Sequence, residues 1–247
     1  MKLAVITDLH ANREAVSAVL AHAQAHGAEA HVFLGDYVGY GADPGWVLDR
    51  VREHVARGAI AVLGNHDEAV VVGPSPTMVA EAKTSATWTR TQLSAEQLAF
   101  LKALPLTATA SDCLFVHANA FAPGAWGYIE GRSEAARSLL ATPHRFTFCG
   151  HMHEPRLYHL AANGKGGEFV PLAGEPIVLS AQRRWLAIPG ATGQPRDGNP
   201  AACYASFDTK SATLTFHRVP YDHEAAGAKI RAAGLPPRFA DRLRVGV

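Results

Sequence analysis

Five short apolar segments of this 247-residue chain each lead into a polar loop that carries Asp, Asn or His. Each segment has the length and composition of a buried strand. In an open α/β sheet the carboxyl ends of parallel strands meet at one edge, where ligands bind. We therefore expect the polar residues that follow the segments to lie together. The segments are residues 2–6, 31–34, 59–63, 114–116 and 145–149, and the polar residues are Asp8, His10, Asp36, Asn65, His66, Asp67, His117, His151 and His153.

The first third of the chain alternates strand-like and helix-like segments. Val16 and Val19 repeat with helical spacing between the first two apolar segments, and Asp43-Pro44 begins a second helical segment before the third. Pro at the first helical position is typical of a helix start. Strands that alternate with helices predict βαβ units and a largely parallel sheet.

From about residue 105 the pattern changes to short strands, with one helix at about 133–141. This change predicts an α/β fold of two stacked sheets with helices outside, in a single domain over residues 1–247. Residues 74–104 are predicted as a helical excursion in which Ser94 and Gln97 form a capping box. Residues 220–247 are predicted as a C-terminal helix and tail. The later strands are expected at 177–179, 185–188, 204–207 and 214–219.

Charge and composition exclude several classes of protein. Lys and Arg number 23 against 22 for Asp and Glu, so the chain lacks the strongly basic balance that stable nucleic-acid binding usually requires. No apolar run approaches the ~20 residues that span a bilayer, so we expect no membrane partner and a cytoplasmic location. The three cysteines show no metal-site or disulfide spacing.

The donors at the strand ends suit two divalent cations. Carboxylate, amide and imidazole ligands together favour borderline metals, and we expect manganese, with iron, cobalt, nickel or zinc as alternatives. If Asp36 bridges two ions about 3.5–4 Å apart, the donors divide into two sets. Two dications and two carboxylates would leave a positive site that attracts phosphate and acidifies a bridging water. The sets are Asp8, His10, Asp36 and His153, and Asp36, Asn65, His117 and His151.

The segments that carry these donors resemble the five-block signature of the calcineurin-like metallophosphoesterase superfamily. The blocks are Asp8-Leu9-His10, residues 35–39, residues 64–67, residues 116–118 and residues 150–153, in the order that the superfamily shows. The resemblance implies a four-layer α/β/β/α sandwich of two mixed sheets with a dinuclear metal centre at the strand ends. It also supports the division of the ligands and casts His66 as the group that stabilises charge or protonates the leaving oxygen.

The chain departs from the protein serine/threonine phosphatases of this superfamily. Those enzymes carry Asp-Arg-Gly in the second block and Glu after the Asn-His pair, whereas this chain has Tyr37-Val38-Gly39 and Asp67. The sequence is more similar to the small bacterial branch of phosphodiesterases and diadenosine tetraphosphatase-like enzymes. The Asn-Pro-Gly-Ser loop of that branch is replaced here by residues 188–191, Ile-Pro-Gly-Ala.

Four further residues are candidates with two possible roles each. Asn12 either contacts a phosphate or caps the helix that follows it. Asp67 is a catalytic candidate that either orients His66 or bonds backbone amides of its own loop. Arg196 either grips a phosphate or belongs to a structural turn. Tyr37, like Tyr40, Phe121 and Trp126, either stacks on a base or packs at the rim of the site.

Together these features predict a metal-dependent phosphoesterase in which a metal-bridging hydroxide attacks phosphorus. Its substrate is expected to be a phosphorylated small molecule or nucleotide, with dinucleoside polyphosphates such as diadenosine tetraphosphate as the specific hypothesis. A broad-specificity phosphodiesterase or a phosphoprotein phosphatase is the alternative. A non-catalytic metal-binding scaffold is the third hypothesis. The sequence does not indicate an oligomeric state.

Overall fold

Two mixed six-stranded sheets form the centre of the molecule in the computed structural model, which describes all of residues 1–247. Strands are numbered along the chain. The first sheet has the order β3-β2-β1-β11-β12-β9, with β1 Lys2–Ile6, β2 Ala30–Phe33, β3 Ile60–Ala61, β9 Pro176–Val178, β11 Ala202–Asp208 and β12 Thr213–Val219. The second has the order β4-β5-β6-β10-β7-β8, with β4 Thr107–Ala110, β5 Cys113–Val116, β6 Phe146–Phe148, β7 Arg156–Ala161, β8 Gly166–Phe169 and β10 Arg183–Ile188.

Parallel pairing brings the five expected strand ends to one edge of the molecule. In the first sheet β1, β2 and β3 run parallel, whereas β11 is antiparallel to β1. In the second sheet β5 and β6 run parallel, and β10 continues in the same direction. The polar loops after β1, β2, β3, β5 and β6 therefore meet, as the sequence pattern predicted.

Eight α-helices surround the two sheets, and a short 3-10 turn lies at Pro123–Ala125. None of them has the combination of length and apolar character that crossing a bilayer would require. The predicted excursion at 74–104 contains two helices, the second of which begins with the expected Ser94–Gln97 capping box. The helices are α1 Arg13–Ala25, α2 Pro44–Ala56, α3 Asn65–Val72, α4 Ala80–Gln92, α5 Ala95–Ala103, α6 Arg132–Leu140, α7 His223–Ala232 and α8 Pro237–Val245.

The buried apolar side chains show four layers. Val5, Phe115 and Phe148 belong to the core between the two sheets. A second core, which includes Ile6 and Val47, joins the outer face of the first sheet to helices such as α1 and α2. A third joins the outer face of the second sheet to α6. Alternate residues of each strand face opposite sides, so one sheet can contribute to two cores. The α/β/β/α sandwich is therefore confirmed.

The last two helices, α7 and α8, pack beside the edge where the strand ends meet. Phe239 of α8 contacts Tyr40, with ring centroids 4.9 Å apart, in a separate apolar cluster. Lys229 of α7 binds Glu14 of α1 at 2.6 Å and Asp43, just before α2, at 2.8 Å. The C-terminal helices therefore brace the loops that carry candidate site residues.

We expect acidification to destabilise the fold through two half-buried histidines outside the candidate site. Burial, followed by neighbouring His54, lowers the pKa of His31 to about 4. Burial, followed by His22 and His26, lowers the pKa of His217 to about 4. The unfolded chain has a histidine pKa of about 6.5, so it binds more protons between these values and stability falls as the pH drops from about 6.5 to about 4.

Urea unfolding from pH 7 to pH 4 measures this effect. The double variant His31→Asn and His217→Asn should lose less stability over that interval than the unmodified chain, because it lacks the two histidines that take up protons on unfolding. Parallel losses in the two proteins would contradict the assignment. Carboxylate titration contributes to both proteins and cancels in the difference.

Candidate metal centre

Two carboxylates and four imidazoles converge at the shared edge of the sheets, and nearly all of them are fully buried. Asp8, His10, Asp36 and His153 form one group, and Asp36, His117 and His151 form the other. Within each group the potential ligand atoms all lie within 4.8 Å of one another. Four separate loops of the chain, those after β1, β2, β5 and β6, supply these side chains. Their convergence is the arrangement that the strand-end pattern predicted.

In the first group the nitrogen and oxygen atoms face a common point. Nε2 of His10 lies 3.1 Å from Nε2 of His153, and Nε2 of His153 lies 3.3 Å from Oδ1 of Asp8. Asp8 Oδ2 accepts hydrogen bonds from the Thr7 hydroxyl at 2.8 Å and from the His151 backbone N–H at 3.0 Å. Oδ1 of Asp8 faces the imidazoles and lies 3.3 Å from the same His151 N–H, so backbone and hydroxyl donors fix the orientation of the carboxylate.

The second group includes Asn65 as well. Nε2 of His117 lies 3.2 Å from Nδ1 of His151 and 3.0 Å from Oδ1 of Asn65. Asn65 is the first residue of α3, directly after the third strand and its short loop. Asp36, Asn65, His117 and His151 are therefore together, as the sequence predicted.

Asp36 lies between the two groups. Its Oδ2 is 3.4 Å from Nε2 of His117 and 3.8 Å from Nε2 of His10. Its Oδ1 accepts the backbone N–H of His66 at 2.8 Å, which fixes the carboxylate orientation. One oxygen is thus within reach of both donor sets, which is the geometry required of a bridging ligand.

Each of the four imidazoles is oriented by a backbone carbonyl. Nδ1 of His10 contacts Val38 O at 3.2 Å, and Nδ1 of His117 contacts Leu34 O at 2.8 Å. Nδ1 of His153 contacts Gln194 O at 2.6 Å, whereas His151 uses Nε2, 2.9 Å from Trp126 O. In each neutral ring the nitrogen that faces the carbonyl carries the proton, so the nitrogen that faces the centre has a free lone pair.

These contacts test whether the residues fit a metal. When the rings are neutral, the nitrogens that face the centre lie 3.1 Å and 3.2 Å apart in two pairs, a separation at which their lone pairs repel unless a cation or proton lies nearby. No lysine or arginine forms an ion pair with Asp8 or Asp36. Carbonyl-oriented histidines beside carboxylates are typical of transition-metal sites. The donor set therefore fits two divalent cations.

Electrostatics favour ionised carboxylates and mostly neutral imidazoles. Burial opposes ionisation of Asp36, but His117 and His66 hold its pKa well below the ordinary value. Burial, followed by the charge of His117, lowers the pKa of His151 to about 3. Burial also opposes protonation of His117, yet the adjacent Asp36 carboxylate raises its pKa to about 9. A cation beside Asp36 would take over the charge that a protonated His117 supplies.

The backbone of the loops is in the left-handed region at five of the candidate ligands. The φ angles are 53° at Asp8, 46° at His10, 53° at Asp36, 68° at His151 and 61° at His153. Asp, Asn and His adopt this region more readily than other non-glycine residues. These left-handed residues let each loop reverse direction immediately after its strand, so that the side chains point to the shared edge of the sheets.

His66 lies beside both groups on the first turn of α3. Its ring is 5.1 Å from that of His10 and 4.5 Å from that of Tyr40, centroid to centroid. Its Nδ1 is buried without a hydrogen-bond partner in the protein. Burial lowers its pKa, and although Asp36 opposes this effect, the charges of His153 and Arg196 act in the same direction as burial. The arrangement places a titratable group next to the candidate centre without using it as a ligand.

Asp67 does not contact the His66 ring, so the predicted orienting role is wrong. Its carboxylate accepts backbone N–H groups of Asp36 at 2.8 Å, Tyr37 at 2.9 Å and Gly64 at 3.0 Å, with Val38 at 3.3 Å. Burial and the charge of Asp36 raise its pKa, and the N–H donors act in the opposite direction. Asp67 therefore ties the loop after β2 to the start of α3, the second of the roles that its sequence allowed.

We expect Asp67→Asn to destabilise the protein by about 3 kcal/mol, because an amide nitrogen would face buried N–H donors that then lack an acceptor. Urea or thermal unfolding measures the change. Asp241→Asn is a matched control, since Asp241 is exposed and pairs with Arg231 at the surface, and it should change stability by less than about 0.5 kcal/mol. Equal, small effects of both substitutions would contradict the anchoring role.

Asn12 and Tyr37 are not placed to contact a substrate. Asn12 Oδ1 accepts the Ala15 N–H at 3.1 Å and caps α1, while Nδ2 donates to Gly193 O at 2.8 Å. The Tyr37 ring is fully buried, and its hydroxyl donates to Val62 O. The predictions that Asn12 and Tyr37 bind substrate are therefore wrong, because the polar groups of both residues form hydrogen bonds within the protein.

A cleft beside the candidate centre is lined by aromatic residues. The sequence alone did not show which aromatic residues lie at the site and which only pack in the core. Tyr128, which is 47% exposed, stacks on His151 with ring centroids 4.1 Å apart and planes at 13°. Trp126 donates from Nε1 to Glu68 at 2.7 Å. Tyr40 and His66 line the same cleft, which has a volume of about 620 Å³. Tyr128 gave no periodic signal in the sequence, since it lies in an irregular loop.

Arg196 lies near the candidate centre. Its backbone N–H donates to His153 O at 3.2 Å, and its guanidinium carbon lies 5.8 Å from the Tyr40 ring centroid. The Arg196 side chain therefore lies beside Tyr40, close enough to the candidate centre for its charge to affect the pKa of His66. Its contact with a phosphate stays a prediction.

Comparison with known proteins identifies a family over most of the chain. The model of the calcineurin-like phosphoesterase superfamily domain matches residues 1–212. An uncharacterised protein of Methanocaldococcus jannaschii is 33% identical over 249 aligned residues, covering 99% of this chain and 98% of that protein.

Solved structures share the fold over the full chain. A metallophosphoesterase from Sphaerobacter thermophilus superposes with a TM-score of 0.88 at 36% identity, covering 100% of this chain and 99% of that chain. A hypothetical protein from Pyrococcus horikoshii has a TM-score of 0.77 at 17% identity, covering 100% of this chain and 98% of that chain, and shows likeness of fold alone.

Proposed function

The chain belongs to the calcineurin-like phosphoesterase superfamily and is a phosphoester hydrolase, and on that premise we propose that it cleaves dinucleoside polyphosphates at a two-metal site. Asp8, His10, Asp36 and His153 would hold one ion. Asp36, Asn65, His117 and His151 would hold the other. Manganese is the proposed metal, with iron, cobalt, nickel or zinc as alternatives.

The position of Asp36 carries this proposal. Its Oδ2 faces imidazoles of both donor sets, at 3.4 Å and 3.8 Å, while its Oδ1 is held by a backbone N–H. Bound divalent cations would supply an activated water and would neutralise the charge of a phosphate. The protein's own contribution is to orient the ligands through carbonyls and to bury them away from bulk water.

His66 is proposed to act on the leaving group. It lies beside the ligands but its Nδ1 makes no hydrogen bond within the protein. A buried imidazole in this position can donate a proton, or a hydrogen bond, to an oxygen that gains negative charge as a P–O bond breaks. Tyr40 packs against the ring and limits its movement.

The shape of the cleft supports a nucleotide substrate. Tyr128 presents its outer face to solvent while its inner face stacks on His151. Val72, Met78 and Val79 add apolar surface to the same cleft. A planar base attached to the reacting phosphate would stack on Tyr128 beside these side chains, which favours a nucleotide over a phosphorylated peptide.

A substrate panel in excess Mn²⁺ tests the proposal. Diadenosine tetraphosphate should give the highest kcat/KM, ahead of p-nitrophenyl phosphate, bis-p-nitrophenyl phosphate and a phosphopeptide. Tyr128→Ala should raise KM for the dinucleotide, whereas Tyr158→Phe, at a buried tyrosine of the core between the second sheet and α6, should not. Preferred turnover of the phosphopeptide or the aryl esters would overturn the substrate assignment. No turnover of any of these substrates, in Mn²⁺ or in iron, cobalt, nickel or zinc, would overturn the catalytic assignment.

A further inference from the structure

We propose that Arg196 and Arg242 form a second anion-binding subsite beside the metal centre, which holds a phosphate group adjacent to the one that is cleaved. This inference rests on the proposed function and specifies its substrate class. It assigns a binding role to helix α8, which lies beyond residue 212, where the match to the family model ends.

Arg196 is fixed close to the centre but keeps free donors. Its Nη2 donates to Gln194 Oε1 at 3.0 Å and lies 3.5 Å from the Tyr40 hydroxyl. Its Nε is buried and has no partner in the protein. The neighbouring Asp197 does not pair with it, because Asp197 binds Arg218. A guanidinium with unused donors beside a phosphoryl-transfer site is suited to bidentate phosphate binding.

Arg242 differs from the other arginines of the C-terminal helices. Arg231, Arg238 and Arg244 each face a carboxylate, at 2.6 Å from Asp241, 3.7 Å from Glu81 and 3.1 Å from Glu224. Arg242 is less exposed than these three and forms no ion pair. A partly buried cation without an ion-pair partner is costly unless a ligand supplies one.

The two arginines lie close enough for their charges to interact. Burial lowers the pKa of Arg242, and the positive charge of Arg196 lowers it further. Arg242 follows Phe239 by one helical turn and so lies on the same side of α8, the side that packs against Tyr40. Two positive charges, those of Arg196 and Arg242, thus lie near the Tyr40 ring. An anion bound between the two arginines would offset their mutual repulsion.

Tyr40 connects this subsite to the reacting group. Its ring lies 4.5 Å from the His66 ring and 4.6 Å from the His10 ring, and the Arg196 guanidinium carbon lies 5.8 Å from its centroid. A phosphate on the metal ions and a phosphate on the arginines would therefore be separated by little more than one side chain. Polyphosphate chains and anhydrides can span the two positions, whereas a simple monoester reaches only one.

The test compares Arg242→Gln and Arg196→Gln with Arg244→Gln, a matched control on the exposed part of α8. In excess Mn²⁺, kcat/KM is measured for diadenosine tetraphosphate and for p-nitrophenyl phosphate. Loss of a charge-assisted contact should lower the preference for the dinucleotide at least about tenfold in each of the first two variants. Arg244→Gln should leave both values within about twofold. Arg242→Lys, which keeps the charge, should recover part of the preference.

Inhibition provides a second readout that does not depend on turnover of the dinucleotide. Pyrophosphate should inhibit p-nitrophenyl phosphate hydrolysis more strongly than orthophosphate, and Arg242→Gln should reduce this difference. Equal effects of Arg242→Gln on both substrates and both inhibitors would overturn the subsite while leaving the proposed hydrolase intact. An unmodified protein that turns over neither substrate would overturn the proposed function and, with it, the subsite.

Discussion

Asp36→Asn is expected to remove both metal ions together and to lower turnover by roughly a thousandfold or more. Oδ2 of Asp36 faces imidazoles of both donor sets, so the loss of its charge weakens both sites at once. The amide oxygen of Asn can still accept the His66 N–H, and so the fold should survive. Metal content by elemental analysis and thermal unfolding measure the two effects separately.

Asp8→Asn serves as the matched control for this experiment. Asp8 faces His153 of the first donor set, and His117 and His151 of the second set surround Asp36 instead. Asp8→Asn should therefore lose one ion preferentially. If Asp36→Asn also lost only one ion, Asp36 would not bridge and the division of the ligands would need to be redrawn.

His66→Ala is expected to keep both ions but to lower kcat by roughly 10² to 10⁴, the range typical of a lost general acid or electrostatic donor. The ring of His66 lies beside His10 but belongs to neither ligand group. Metal content should therefore match that of the unmodified chain. Steady-state kinetics on the same preparation give the change in kcat.

The leaving group distinguishes the role of His66 from a structural one. If His66 protonates the leaving oxygen, His66→Ala should slow esters with poor leaving groups more than aryl esters, which need little protonation. His144→Ala, at a half-buried histidine outside the centre, should change neither reaction. A uniform loss across leaving groups would exclude the acid role, and unchanged kcat would remove His66 from the mechanism.

The strand-end residues were predictable from two observations. Polar residues directly follow buried strands in the sequence, and parallel strands end at the same edge of a sheet. Asp8, Asp36 and His117 each follow a buried parallel strand, so topology alone brings them to one edge. The resemblance to a known family then gave the four-layer sandwich. Asn65 was found by the same rule, although its own strand, β3, is only two residues long.

Other features were not predictable because they depend on long-range packing. Asn12 could equally cap a helix or face a ligand, and only the closeness of Gly193 in the fold decided between them. Tyr37 was predicted as a rim residue because its loop lies close to the candidate metal ligands, but its ring is buried in the core. Strands β4 and β8 lacked a strong apolar pattern, since most of their residues are partly or fully exposed.

The left-handed turns at five candidate ligands restrict which amino acids each position can accept. A replacement there must satisfy a metal and also tolerate a backbone conformation that costs most side chains about 1 kcal/mol or more. At position 8, the substitution Asp8→Glu would keep a carboxylate but lose the short side chain that favours this conformation. Asp8→Asn would keep the conformation and lose the charge. Metal binding and backbone conformation thus restrict the amino acids at these positions independently, and only a few residue types satisfy both requirements.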